Sequence, residues 1–126
     1  MRASAAELYA AEAAVDLLID HRCWLGRDDF VDGFVEIGEG CSDGRAMAWV
    51  HWQAAVAALD GGRLACGDSE AQVLRIAASI AEGVPVDLRG ALGGLDEVNV
   101  VLVARAVLHA NGRRDAAAAL MGVAGW

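Results

Sequence analysis

Residues 45–59 read RAMAWVHWQAAVAAL. Trp49, Trp52, Val56 and Leu59 recur at helical spacing, and Met47, Val50, Ala54 and Ala57 form a second apolar stripe beside them. The polar residues inside the stretch are His51 and Gln53. A helix that is apolar on most sides belongs in an interior. The stretch therefore predicts a central helix over residues 45–59, closed by Asp60-Gly61-Gly62.

Working outward, each flank supplies helices to pack around it. Ser4 and Glu7 have capping-box spacing and open a helix over residues 4–25, with Leu8, Ala11, Val15, Leu18 and Ile19 on one side. Glu12, Asp16 and Asp20 step i, i+4, i+8 along an adjacent face. Residues 28–37 read as a second helix: Phe30, Phe34 and Ile37 make its apolar face, and Asp29, Asp32 and Glu36 fall opposite. Residues 38–44 are a glycine-rich loop.

On the other flank, Ser69 and Gln72 form a second capping-box pattern, which opens a helix to Glu82 that Gly83 and Pro85 stop. Asp87 is placed to cap a short helix over residues 88–92. Asp96 is placed to cap another that ends at Asn111-Gly112. The β-branched run 98–103 would suit a strand, but its length and its caps favour helix. Residues 115–121 predict a last helical turn.

Composition agrees. Of 126 residues, 27 are alanine, the best helix former, and one is proline. At 56% apolar the chain can bury a core. The expectation is an all-α, single-domain bundle (residues 1–126) of five to seven helices around the 45–59 helix. It would comprise acidic N-terminal helices (1–44), a near-neutral helical part (45–112) and an apolar C-terminal tail (113–126).

The acid is concentrated. Residues 1–44 carry ten acids against three arginines, −7, whereas residues 45–126 carry eight against seven, −1. A net charge of −8 repels nucleic acid and anionic membranes. Apolar runs such as Val100 to Ala104 fall far short of the roughly 20 residues a membrane helix needs. The N-terminal residues lack a basic stretch followed by an apolar one, and three unpaired-looking cysteines suit reduced thiols, so the expected location is cytoplasmic.

Chemistry-bearing patterns are sparse. His21, Cys23, Cys41, His51, Cys66 and His109 are the soft-metal candidates, and His21-Arg22-Cys23 is their one close pair, without zinc-ligand spacing. No G-x-S-x-G elbow and no phosphate-binding glycine loop is present. Residues 77–92 loosely resemble the turn of DNA-reading repressors, but Pro85 and Asp87 sit where contact residues belong and Arg89 alone could reach a phosphate or guanine.

The resulting expectation is a non-enzymatic protein-binding module with no catalytic, cofactor or metal residues. An acidic face would dock on a protein partner with a basic surface, without direct nucleic acid or membrane contact. Its partner-binding residues would be Asp29, Asp32, Glu36, Glu12, Asp16 and Asp20, joined by Trp126 at the end of a tail that carries no charge after Asp115. Two alternatives remain open. One is a nucleic-acid mimic of the kind phages and mobile elements use against nucleases. The other is a helix-turn-helix regulator built on residues 70–112.

Overall fold

A computed structural model describes residues 5–39, 46–113 and 115–116. The element order is α1 (Ala5–His21), a 3-10 turn (Trp24–Gly26), α2 (Asp28–Phe34), β1 (Val35–Glu39), β2 (Ala46–Val50), α3 (Trp52–Asp60), α4 (Asp68–Glu82), α5 (Leu88–Gly93) and α6 (Glu97–Ala110). The architecture is a helical bundle, as expected, with one small hairpin attached.

The hairpin corrects two sequence expectations. The helix expected over 28–37 stops at Phe34, and that expected over 45–59 starts at Trp52. The residues between pair as antiparallel strands, Val35 opposite Val50 and Glu36 opposite Trp49. The His51 N–H donates to Phe34 O at 2.8 Å and closes the ladder where α2 ends and α3 begins. Val35-Glu36-Ile37 alternates apolar and polar, and its β-branched residues suit a pleated surface. A two-stranded hairpin is marginal alone. Here Val35 and Val50 pack against the core. Trp49, expected inside, is instead 47% exposed on β2, while Trp52 is buried.

The middle of the bundle is therefore not residues 45–59. α4 takes that place, packed on α1, α3, α5 and α6. Val73, Leu74, Ile76, Ala77 and Ala78 are buried on it, and they meet Leu17 and Leu18 of α1, Val56 of α3 and Leu102 and Val103 of α6 in one cluster. The buried face of α1 is also rotated from the one expected. Ala13, Ala14, Leu17 and Leu18 are buried, whereas Ala11 and Ile19 are exposed. Alanines on that face let neighbouring helices approach closely, so α1 lies between α4 and α6.

The helix ends are read well from sequence. Asp96 caps α6, accepting from the Asn99 N–H at 2.8 Å. Gly83, at φ 70°, ends α4 in the left-handed region. Gly112, at φ 88°, closes α6 with paired bonds from Gly112 N to His109 O and Arg113 N to Leu108 O. Two caps differ. α4 starts at Asp68, with the Glu70 carboxylate accepting from Gly67 N–H, so Ser69 is not its cap. α1 ends at His21, where Arg22 takes a left-handed φ of 62°. The expected cap at Ser4 and most of the last turn expected at 115–121 lie outside the described residues. Among the described residues no helix is long and apolar enough to cross a membrane.

Candidate functional site

The two acidic stripes meet different surroundings. Glu12, Asp16 and Asp20 turn towards α6, which presents Arg105 and His109 at the same i, i+4 spacing. The Arg105 guanidinium donates to Asp20. His109 Nε2 lies 3.1 Å from Glu12 Oε1, and its Nδ1 lies 3.5 Å from Asp16 Oδ2. His109 is 8% exposed, so this imidazole sits inside the α1–α6 seam rather than on a surface. Burial pushes the Asp16 carboxyl above the usual carboxylate range, with the His109 imidazole pulling the other way. A cavity of about 10 Å³ adjoins Asp16 and His109, walled also by Asp20 and Arg105. One ligand atom from each of Glu12, Asp16 and His109 lies within 4.8 Å of the others. Sequence reasoning grouped the three acids on one face, and Glu12 stays exposed, but Arg105 and His109 stand beside them across the seam. The missed signal was the Arg105 and His109 pair, whose spacing mirrors Asp20 and Asp16 in an antiparallel helix.

The second group keeps its solvent exposure. Asp28, Asp29 and Asp32 project from α2, whose other side is anchored by fully buried Phe30, tilted against both Trp24 and Phe34. Arg27 holds Asp29 in a two-pronged contact, Nη2 to Oδ2 at 2.6 Å and Nε to Oδ1 at 3.0 Å, which lowers the Asp29 carboxyl below its usual range. Glu36 belongs to β1 rather than to the helix, and lies 3.2 Å from His51 Nε2. Asp29, Asp32 and Glu36 are all exposed, but a helix and a strand share them. Trp126 lies outside the described residues.

A polar cluster at the N-terminal ends of α4 and α6 gathers residues the sequence reading treated singly. The Cys23 thiol donates to the Glu70 carboxylate, and the Trp24 indole N–H donates to Glu70 O at 3.0 Å. Burial and that bond push the thiol up to about 12, so it holds its proton at neutral pH and is no nucleophile. Buried Asn99 donates to Ser69 Oγ at 2.8 Å and meets His21 Nε2 at 3.3 Å. His21 Nδ1 is buried without a partner, and burial lowers this imidazole's affinity for a proton. A histidine that resists protonation beside an inert thiol is a structural arrangement: it fixes how the ends of three helices meet.

The third feature is apolar. Among the described residues, Leu88, Leu92, Val98, Val100 and Val107 are five of eight large hydrophobics that are exposed, and all five lie on α5 and α6. Leu92, Val100, Val103, Ala104, Val107 and Leu108 line one furrow. α5, the would-be DNA-reading helix of residues 70–112, spans six residues and shows solvent Leu88, Arg89 and Leu92. One guanidinium between two leucines suits a protein surface better than a DNA groove.

Nothing matches this chain among protein-family models, curated proteins or solved structures.

Proposed function

We propose that the chain is a non-enzymatic protein-binding module. It receives an apolar helix with basic flanks in the α5–α6 furrow, while its acidic residues steer that partner in. The observation that carries this reading is the outer face of α6. Val100, Ala104 and Val107 sit opposite the buried residues Leu102, Ala106 and His109, and yet are exposed. A helix that is apolar on both faces belongs in an interior, and a continuous exposed apolar furrow is a common mark of a docking surface. Helix-in-groove recognition uses residues at this i, i+4, i+7 spacing.

Charge supports the nature of the partner. A net −8, concentrated in the first 44 residues, speeds the approach of a basic chain and slows that of an acidic one. Among the described residues of that stretch, Glu12, Asp28, Asp29, Asp32 and Glu36 are exposed. The nucleic-acid mimic gains less support, because a mimic needs carboxylates free to meet a basic partner and the α1 stripe already meets Arg105 and His109.

The test is a titration of isotope-labelled protein with a synthetic leucine–lysine amphipathic peptide, followed residue by residue in NMR spectra. Shifts centred on Leu92, Val100, Ala104 and Val107, lost in the double variant Val100→Asp, Val107→Asp, are expected. Shifts that bypass α5 and α6, or that survive the double variant, would sink the reading.

A further inference from the structure

We propose that the α5–α6 furrow is occupied in the free chain by the chain's own residues 115–126, which a partner must displace. Residues 117–126 lie outside the described residues, but the stretch that leads into them does not. α6 ends at Ala110, and Asp115 and Ala116 are helical again. Four residues between two helices is a length that joins antiparallel neighbours in an αα-hairpin. The Arg113 N–H donates to Leu108 O at 2.8 Å across the end of α6, and Gly112 takes the left-handed φ of 88° that turns the chain there. A helix that runs back along α6 needs a free side of it. Among the described residues, α1 and α4 take the inner side, and the side left open is the furrow, with Val100, Ala104 and Val107 exposed.

Length and composition agree. Val100 to Leu108, the α6 wall of the furrow, spans about 12 Å at a rise of about 1.5 Å per residue. A helix over residues 115–121, as the sequence predicts, covers about 9 Å of that wall. Residues 122–126, at up to about 3.3 Å each, then carry Trp126 past Val100 to Leu92. After Asp115 the segment holds only Ala, Leu, Met, Gly, Val and Trp. Such a stretch is costly in water unless something covers it, and the furrow has the same need. Sizes alternate in the right sense. A hairpin with this turn sets Ala116 to Ala119 against Val107 and Leu108, and Leu120 and Met121 against Ala104.

The inference deepens the docking reading and rests on it for its consequence. Arg113 and Arg114 stand immediately before the apolar stretch, so the chain carries its own copy of the chemistry assigned to the partner, an apolar segment with a basic flank. Held on so short a tether, that copy competes at an effective concentration on the order of millimolar. A furrow covered in about nine molecules of ten binds a partner about tenfold more weakly than an open one.

The experiment is nuclear Overhauser spectroscopy on the full chain, labelled at its Leu, Val and Ala methyl groups, followed by titration with the leucine–lysine peptide. Expected are contacts from the Trp126 ring and the Leu120 methyls to the methyls of Leu92, Val100, Ala104 and Val107, unchanged on dilution. In the double variant Leu120→Asp, Met121→Asp those contacts vanish and the peptide binds about tenfold more tightly. Circular dichroism checks that the variant keeps its fold. Three results would overturn the proposal. One is tail contacts that are absent or confined to Tyr9, which lies beside the Gly112 turn. Another is contacts seen only between labelled and unlabelled copies in a mixed sample, which would put the segment in a second copy's furrow. The third is a peptide affinity that is measurable and equal in variant and wild type. If the tail contacts are present and the peptide binds neither protein, the docking reading fails and the tail keeps its place in the furrow.

Discussion

The acids of α1 and those of α2 lie close in sequence and have similar spacing, but they have different partners. Along α1, Glu12, Asp16 and Asp20 meet His109 and Arg105 across a helix–helix seam. Around α2, Asp28, Asp29, Asp32 and Glu36 stay in solvent because Phe30 holds the other side of the helix in the core. Charge spacing along one helix is thus neutral about location. What decides is whether another helix brings a complementary pair at the same pitch. Arg105 and His109 do so for α1. For α2 the nearby cation Arg27 is local and takes Asp29 alone.

The largest expected effect lies in the anchor that sets α2's orientation. Phe30→Ala empties a fully buried site between Trp24 and Phe34 and should cost about 3–5 kcal/mol, the usual loss for a buried aromatic. Chemical denaturation measures it. A loss under about 1 kcal/mol would mean that α2 is not held by this side chain, and that the exposure of its acids has another cause.

Next comes the seam. Arg105→Glu sets a fourth carboxylate against Asp16 and Asp20 and should cost about 2 kcal/mol, more than an exposed charge change because both partners are partly buried. The double change Asp20→Arg, Arg105→Glu should recover most of that loss. If the swap recovers nothing, the pair is only adjacent and the seam is held by its apolar residues.

Sequence made the helices legible where local chemistry alone sets the end. Asp96, Gly83 and Asn111-Gly112 act within one turn of themselves, and each is where the pattern placed it. The hairpin was illegible for a physical reason. Phe30, Phe34 and Ile37 have helical spacing, while Val35-Glu36-Ile37 alternates, and one stretch carries both periods. Pairing with Ala46–Val50 resolves the conflict, and pairing is a long-range fact. The same holds for the candidate site. Glu12 and Asp16 are conspicuous, but His109 is 93 positions beyond Asp16, and a lone histidine on an apolar helix gives no hint of its partner.

A smaller contrast should appear in acid titration. Burial raises the Asp16 carboxyl above the ordinary 3.8, so at neutral pH its charge works against the fold. Its favourable contribution is present below 3.8 and is lost as pH rises through the raised value. Asp29 runs the other way: Arg27 lowers it, so its contribution holds above 3.8 and fades as pH falls through the lowered value. Asp16→Asn should therefore melt no lower than wild type at pH 7, and should lose that standing towards pH 3. Asp29→Asn should melt lower at pH 7 and converge on wild type in acid. Parallel curves for the two variants would show that seam and surface do not differ electrostatically.

The smallest effect on stability, and the sharpest on association, belongs to the open acids together. Asp29, Asp32 and Glu36 are solvated, and their pairs with Arg27 and His51 lie at the surface, where ion pairs contribute little. Replacing the three with Asn, Asn and Gln should lower the melting temperature only slightly, by no more than Asp29→Asn does alone. Steering is different, because it depends on the field a partner meets before contact and not on any one pair. The triple variant should bind the leucine–lysine peptide more slowly at low salt, with a shallower fall in rate as salt rises, while dissociation stays the same. A matched change of Glu12 and Asp20 in the seam should move association less, since Asp20's charge is already met by Arg105 and Glu12's partner lies within the seam. Equal association rates for wild type and the triple variant at both salt concentrations would remove the acidic region from recognition and leave the α5–α6 furrow to account for binding alone.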